Sequence, residues 1–125
     1  MSQRTVVWHP VPDVAAGFGS ISYRYGREGS LRTVYAAMHG ERTLRLHFTG
    51  VVAVHAEDDC PGIFSLPKPL PRLDAQWSFP LLQIENSDWL SHWPMYPNKV
   101  HFALLSLDDL VNVIADATVK AHWEQ

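Results

Sequence analysis

The sequence predicts a mainly β protein, a single domain built as an antiparallel β-sandwich or half-open barrel around a long bent central strand, with one or two short helical turns. Three observations carry that prediction. The first is residues 42–56 (RTLRLHFTGVVAVHA), where Leu44, Leu46, Phe48, Gly50, Val52, Val54 and Ala56 alternate with Thr43, Arg45, His47, Thr49, Val51, Ala53 and His55. Period-two alternation of this kind marks a strand with one buried and one wetter face. The second is that the flanking segments alternate too and are separated by short Gly-containing turns, as an antiparallel meander requires. The third is a proline-punctuated stretch, residues 57–76, that is too long for a tight turn and divides the meander (1–56) from a second strand group (77–125).

At about 3.3 Å per residue the 42–56 run would extend for some 45 Å, beyond an ordinary strand. Gly50, on its apolar face, is the natural bend. A strand bent there belongs to two sheets or turns a barrel corner.

The other elements follow in order. Residues 5–8 form a short apolar run stopped by His9-Pro10-Val11-Pro12, hence a first or edge strand. Residues 18–25 set Ile21, Tyr23 and Tyr25 against Ser20, Ser22 and Arg24, a half-buried strand that ends in a turn over residues 26–30. Residues 31–38 are a strand with less distinct faces, and His39-Gly40 makes a tight hairpin into the central strand, with Gly40 suited to positive φ. Pro61, Pro67, Pro69 and Pro71 stiffen the crossover. Strand character resumes over 77–85, with Pro80 favouring an edge or bulge. Residues 86–93 read as a short helical turn capped by Asn86 or Ser87 and stopped by Pro94. Residues 100–106 are a strand. Residues 107–117 fit either a helix, with Ser106 and Asp109 at its start, or a β-hairpin returning into 118–123; their β-branched content tips the reading to the hairpin.

Composition narrows the function classes. With 46% hydrophobic and 18% charged residues, 125 residues make one globular core without staples. Cys60 is the sole cysteine, so no internal disulfide forms, and a cytoplasmic protein is expected. No apolar run reaches the ~18 residues of a membrane helix, and no signal-type h-region precedes the first strand. The net charge of −3 argues against nucleic acid as partner. Residues 1–56 carry six arginines against three carboxylates, whereas residues 57–125 carry four Lys/Arg against ten carboxylates. An acidic second half suits a basic protein partner.

The candidate chemistry is sparse. Among seven histidines, His39, His47 and His55 share one parity, but an eight-residue spacing separates His47 from His55 by about 26 Å on a regular strand. A metal or small-ligand site, and with it an enzyme, would need His47, His55 and His101 brought together across strands. Glu57-Asp58-Asp59-Cys60 is the densest polar cluster, but neighbouring acids raise a thiol pKa, which favours a solvated strand-ending loop over a nucleophile. Nucleophile-elbow, phosphate-loop and dinucleotide-binding motifs are missing, so no cofactor is assigned. Trp89 and Trp93, four residues apart beside Asp88 and His92, share a face of the helical turn, and half-wet tryptophans anchor interfaces.

The segments LRLHFTGVVAVHAEDD, FPLLQIENSDWL and VHFALLSLDDLVNVIA, about half of the chain, resemble small bacterial single-domain proteins of unknown function, loosely similar to the immunity proteins that accompany polymorphic toxins. The resemblance implies a β-rich fold and a protein-binding role, and it transfers no functional residue. The expected function is therefore that of a non-catalytic, cytoplasmic protein-binding domain. Asp58, Asp59, Asp88, Trp89, Trp93, Asp108 and Asp109 are its candidate contact residues, and residues 5–8 offer an edge for homodimerisation.

Overall fold

A computed structural model describes residues 3–14, 17–58, 79–107 and 109–124, apart from the side chains of Glu57 and Asp58. The strands are β1 (Arg4–Val7), β2 (Ser20–Glu28), β3 (Leu31–His39), β4 (Thr43–Thr49), β5 (Ala53–Asp58), β6 (Leu81–Glu85), β7 (Val100–Leu105), β8 (Asp109–Ala115) and β9 (Lys120–Trp123). They make two antiparallel sheets, ordered β1-β6-β7-β8-β5 and β2-β3-β4-β9. Of the two predicted architectures this is the sandwich.

Between the sheets lies the main core. The four-stranded sheet contributes Val34, Ala36, Met38, Leu44, Leu46 and Phe48, and the five-stranded sheet Leu81, Phe102, Leu104, Val111, Val113 and Ala115, all buried. Trp8 bridges the layers, its ring 4.6 Å from Phe102 and 6.2 Å from Phe48.

The long run bends where the sequence places the bend. β4 ends at Thr49, Gly50 takes φ +60°, and β5 continues in the other sheet. A side chain at Gly50 would strike the Asp116 carboxylate, so both backbone sign and space demand glycine. Asp116 sits at the third crossing between sheets, from β8 to β9. There the Asp116 N–H donates to the Thr49 carbonyl (3.0 Å), and Lys99 Nζ donates to both the Gly50 carbonyl (2.9 Å) and Asp116 Oδ1 (2.7 Å).

Four details differ from the sequence reading. β2 runs on to Glu28, so the turn is only Gly29-Ser30, with Gly29 at φ +61°. Gly26 stays in the strand because the Tyr35 ring and Thr33 hydroxyl occupy the room a side chain would need. Gly40 is not in the positive-φ region; it is small because the Phe18 ring and the Gly17 carbonyl pack against it. Residues 109–115 are a strand in hairpin with β7, as the β-branched content favoured, but the chain then crosses to β4 and forms no hairpin with β9. Residues 59–78, most of the expected crossover, and Cys60 with them, lie outside the described residues.

Candidate functional site

Each sheet has an outer face, and the sequence-predicted residues divide between them. On the five-stranded sheet the register aligns Ile84, His101 and Ile114 in one row and Leu82, Ala103, Asn112 and His55 in the next. This face is itself apolar: Leu82, Ile84, Ala103 and Leu105 form a second buried cluster with Leu110 against it.

Two buried polar side chains, His101 and Asn112, interrupt that apolar face, and they are joined. His101 Nε2 lies 2.8 Å from Asn112 Oδ1, and His101 Nδ1 lies 2.6 Å from Ser87 Oγ. The Leu90 N–H donates to the same Ser87 oxygen (3.0 Å). Ser87 thus anchors the start of the loop, and the 3-10 turn that follows over Leu90–His92 has Trp89, not Asn86 or Ser87, at its N-cap position. Burial drives the His101 pKa down to about 4, and the bond to Asn112 offsets only part of that shift. The imidazole is therefore neutral at pH 7, and a bond that suits the neutral ring occupies each nitrogen.

Ser87, His101 and Asn112 have the composition of a nucleophile, base and orienting group. Their setting argues for structure instead. Ser87 is 6% exposed, and its oxygen already accepts the Leu90 N–H. A base titrating near 4 is far from the neutral range in which general bases work best. The relay fastens the β6–β7 loop to the sheet.

That loop, residues 86–99, carries the predicted tryptophans. Trp89 packs edge-on against His101 (5.0 Å), His55 (6.5 Å) and Trp93 (5.6 Å). Both tryptophans are half-buried, and beyond them Met95 is 65% and Tyr96 42% exposed. Asp88 is exposed, and its backbone N–H is held by the Gln3 side chain (2.9 Å).

Of the other predicted acidic residues, Asp109 is placed away from this loop. Asp58 and Asp109 are register partners at the end of the β5–β8 ladder. There Asp109 Oδ2 accepts the Ile21 N–H (3.0 Å), tying β8 to β2, which is a structural duty. Asp59, Asp108 and the side chain of Asp58 lie outside the described residues. The histidine set is divided too. His55 and His101 meet at Trp89, but His47 is on β4, in the other sheet. Among the described residues no group of three His, Cys, Asp or Glu side chains is placed to hold a metal.

Sequence reasoning missed the outer face of the four-stranded sheet. Register aligns Arg24, Tyr35, His47 and Lys120 in one row, and Ser22, Ala37, Arg45 and His122 in the next. Tyr35 and His47 stack nearly parallel, 4.2 Å apart at 6°, and the Arg24 guanidinium covers the Tyr35 ring at 4.3 Å. Glu28 Oε1 accepts the Tyr35 hydroxyl (3.4 Å) and approaches His47 Nε2 to 3.2 Å, without the alignment of a hydrogen bond. Arg45 pairs with Glu124 at 2.8 Å. The face holds a shallow groove of about 530 Å³ above Ala37.

No family model, curated protein or solved structure matches the chain.

Proposed function

We propose that the chain is a non-catalytic protein-binding domain whose contact surface is the β6–β7 loop, with Trp89, Trp93, Met95 and Tyr96 as contact residues and Asp88 beside them. The observation that carries this reading is the coexistence of exposed Met95 and Tyr96 with a base fixed by the buried Ser87–His101–Asn112 relay. Trp, Tyr and Met are the residue types that concentrate in interface centres. A loop already fastened in place loses little conformational freedom on binding, so more of its contact energy becomes affinity.

Asp88 is the only Asp or Glu between residues 86 and 98, a stretch without Lys or Arg. A complementary partner presents an apolar pocket with a basic rim. The resemblance to immunity proteins makes a basic toxin domain the first partner to test. Asp109, engaged with Ile21, is not assigned to the surface.

The test is affinity capture with tagged protein from extracts of its own and related strains, followed by mass spectrometry, with Met95→Asp/Tyr96→Ala run in parallel. Recovery of one stoichiometric partner by the parent and its loss in the double variant, with circular dichroism unchanged, supports the reading. Asp88→Lys would weaken a basic partner more at low salt than at about 0.15 M. Equal capture by parent and double variant would remove the loop from consideration.

A further inference from the structure

The groove over Ala37 belongs to a different face from the loop just described, and its chemistry is different. Cross-strand register makes it. Ala37 has Ser22 directly opposite on one side and Arg45 directly opposite on the other, and Arg24 and His47 are its diagonal neighbours. Diagonal neighbours on a sheet lie about 7–8 Å apart, within reach of long side chains. Arg24 and Arg45 therefore flank a methyl floor from two strands. Lys120, opposite His47, is one diagonal step beyond Arg45.

Three permanent cations thus face one hollow. Glu124 holds Arg45 from the edge, but among the described residues no carboxylate pairs with Arg24 or Lys120. Arg24 is also pre-placed, because its guanidinium lies on the Tyr35 ring. Like charges gathered on one sheet face repel unless an anion joins them. A single bidentate arginine satisfies a carboxylate, whereas the terminal oxygens of a phosphoryl group match several cationic donors at once.

The aromatic stack decides against a nucleobase platform. One face of Tyr35 is covered by Arg24 and the other by His47, so the ring offers its edge outward rather than a face. Base recognition on sheets needs free aromatic faces. From these placements we propose that the hollow over Ala37 is a binding site for a small phosphate-bearing ligand, held between Arg24 and Arg45 with Lys120 at its margin.

The experiment is calorimetric titration of the full-length chain with inorganic pyrophosphate at low salt, repeated for variants of known position. One saturable site per chain is expected. Arg24→Gln and Arg45→Gln should each weaken it by about tenfold or more, the usual worth of a charge-assisted hydrogen bond. Ala37→Val should weaken it without altering charge. Arg4→Gln, on the other sheet, and Arg27→Gln, near the hairpin tip, should leave it unchanged. The two groove arginines are exposed, so their replacement is not expected to unfold the chain, and thermal melting checks this. Absence of saturable binding overturns the proposal, as does equal weakening by Arg4→Gln, which would reduce it to net charge. Tighter, Arg24-dependent binding of an oligothymidylate or of a polyglutamate peptide would also overturn it, assigning the face to a polymer instead.

Discussion

Ala37 and Ala103 occupy matching places, each on an interior strand of its sheet with its methyl on the outer face. Their surroundings differ. Ala103 stands between Leu82 and Asn112, in a face whose side chains are buried. Ala37 stands between Ser22 and Arg45, both exposed. The same residue on the same pleat is interior in one sheet and the floor of a polar groove in the other. Both methyls are buried, so the cross-strand neighbours decide not the burial of the alanine but whether the face around it is wet.

The sharpest way to break this comparison is a matched pair of substitutions. Ala103→Lys would place an uncompensated charge in an apolar face and should cost about 3–5 kcal/mol. Ala37→Lys has an open route to water along the groove and should cost no more than about 1 kcal/mol. Urea unfolding of both variants measures the difference, and equal costs would mean that the two outer faces are not distinct.

A second test exploits the buried polar relay of the apolar face. His101 is neutral in the folded chain, with its pKa lowered to about 4, while the unfolded chain protonates near the ordinary histidine value. The unfolded state thus binds more protons between these values, and stability falls as pH drops from about 6.5 toward 4. The loss amounts to about 3 kcal/mol by linkage, complete below the folded value. His101→Gln should remove this part of the pH dependence, though it lowers stability at pH 7. Denaturant midpoints of parent and variant from pH 7 to pH 4 report it, and parallel curves would place the titrating group elsewhere.

The smallest effect belongs to the exposed ion pairs. Arg4 and Glu85 meet on the five-stranded sheet, and Arg45 and Glu124 on the four-stranded one, all four substantially exposed. Arg4→Ala and Arg45→Ala should each change unfolding stability by at most about 1 kcal/mol. A larger loss from Arg45→Ala alone would show that the groove arginine also braces the fold.

How far the sequence was readable follows from the same contrast. β4, with one wet face, alternates cleanly, and the bend at Gly50 stood out because a glycine broke an apolar row. β2 alternates in sequence, but its Tyr23 and Tyr25, expected on a buried face, are exposed. β7 and β8 are buried on both faces, so they lose their alternation, which is why residues 107–117 resembled a helix as much as a hairpin. The Arg24–Tyr35 contact left a usable trace. A two-residue turn at Gly29-Ser30 puts Glu28 opposite Leu31, and counting back puts Arg24 opposite Tyr35. Nothing local announces that Lys120 and His122 complete the groove, because β9 reaches β4 from the far end of the chain. The relay was half legible: His101 and Asn112 interrupt apolar runs, but their meeting depends on the β7–β8 register and on Ser87 in a separate loop.

The corner at Gly50 also divides the chain's labour. Before it come β1 to β4 and after it β5 to β9, yet β1 pairs with β6 and β9 pairs with β4. Each half lends an outermost strand to the sheet built mainly by the other. A cleavage at the corner would yield two fragments with neither sheet whole, each leaving its core face uncovered until the halves recombine. The corner thus makes the chain a natural candidate for a split reporter whose two pieces regain order only together.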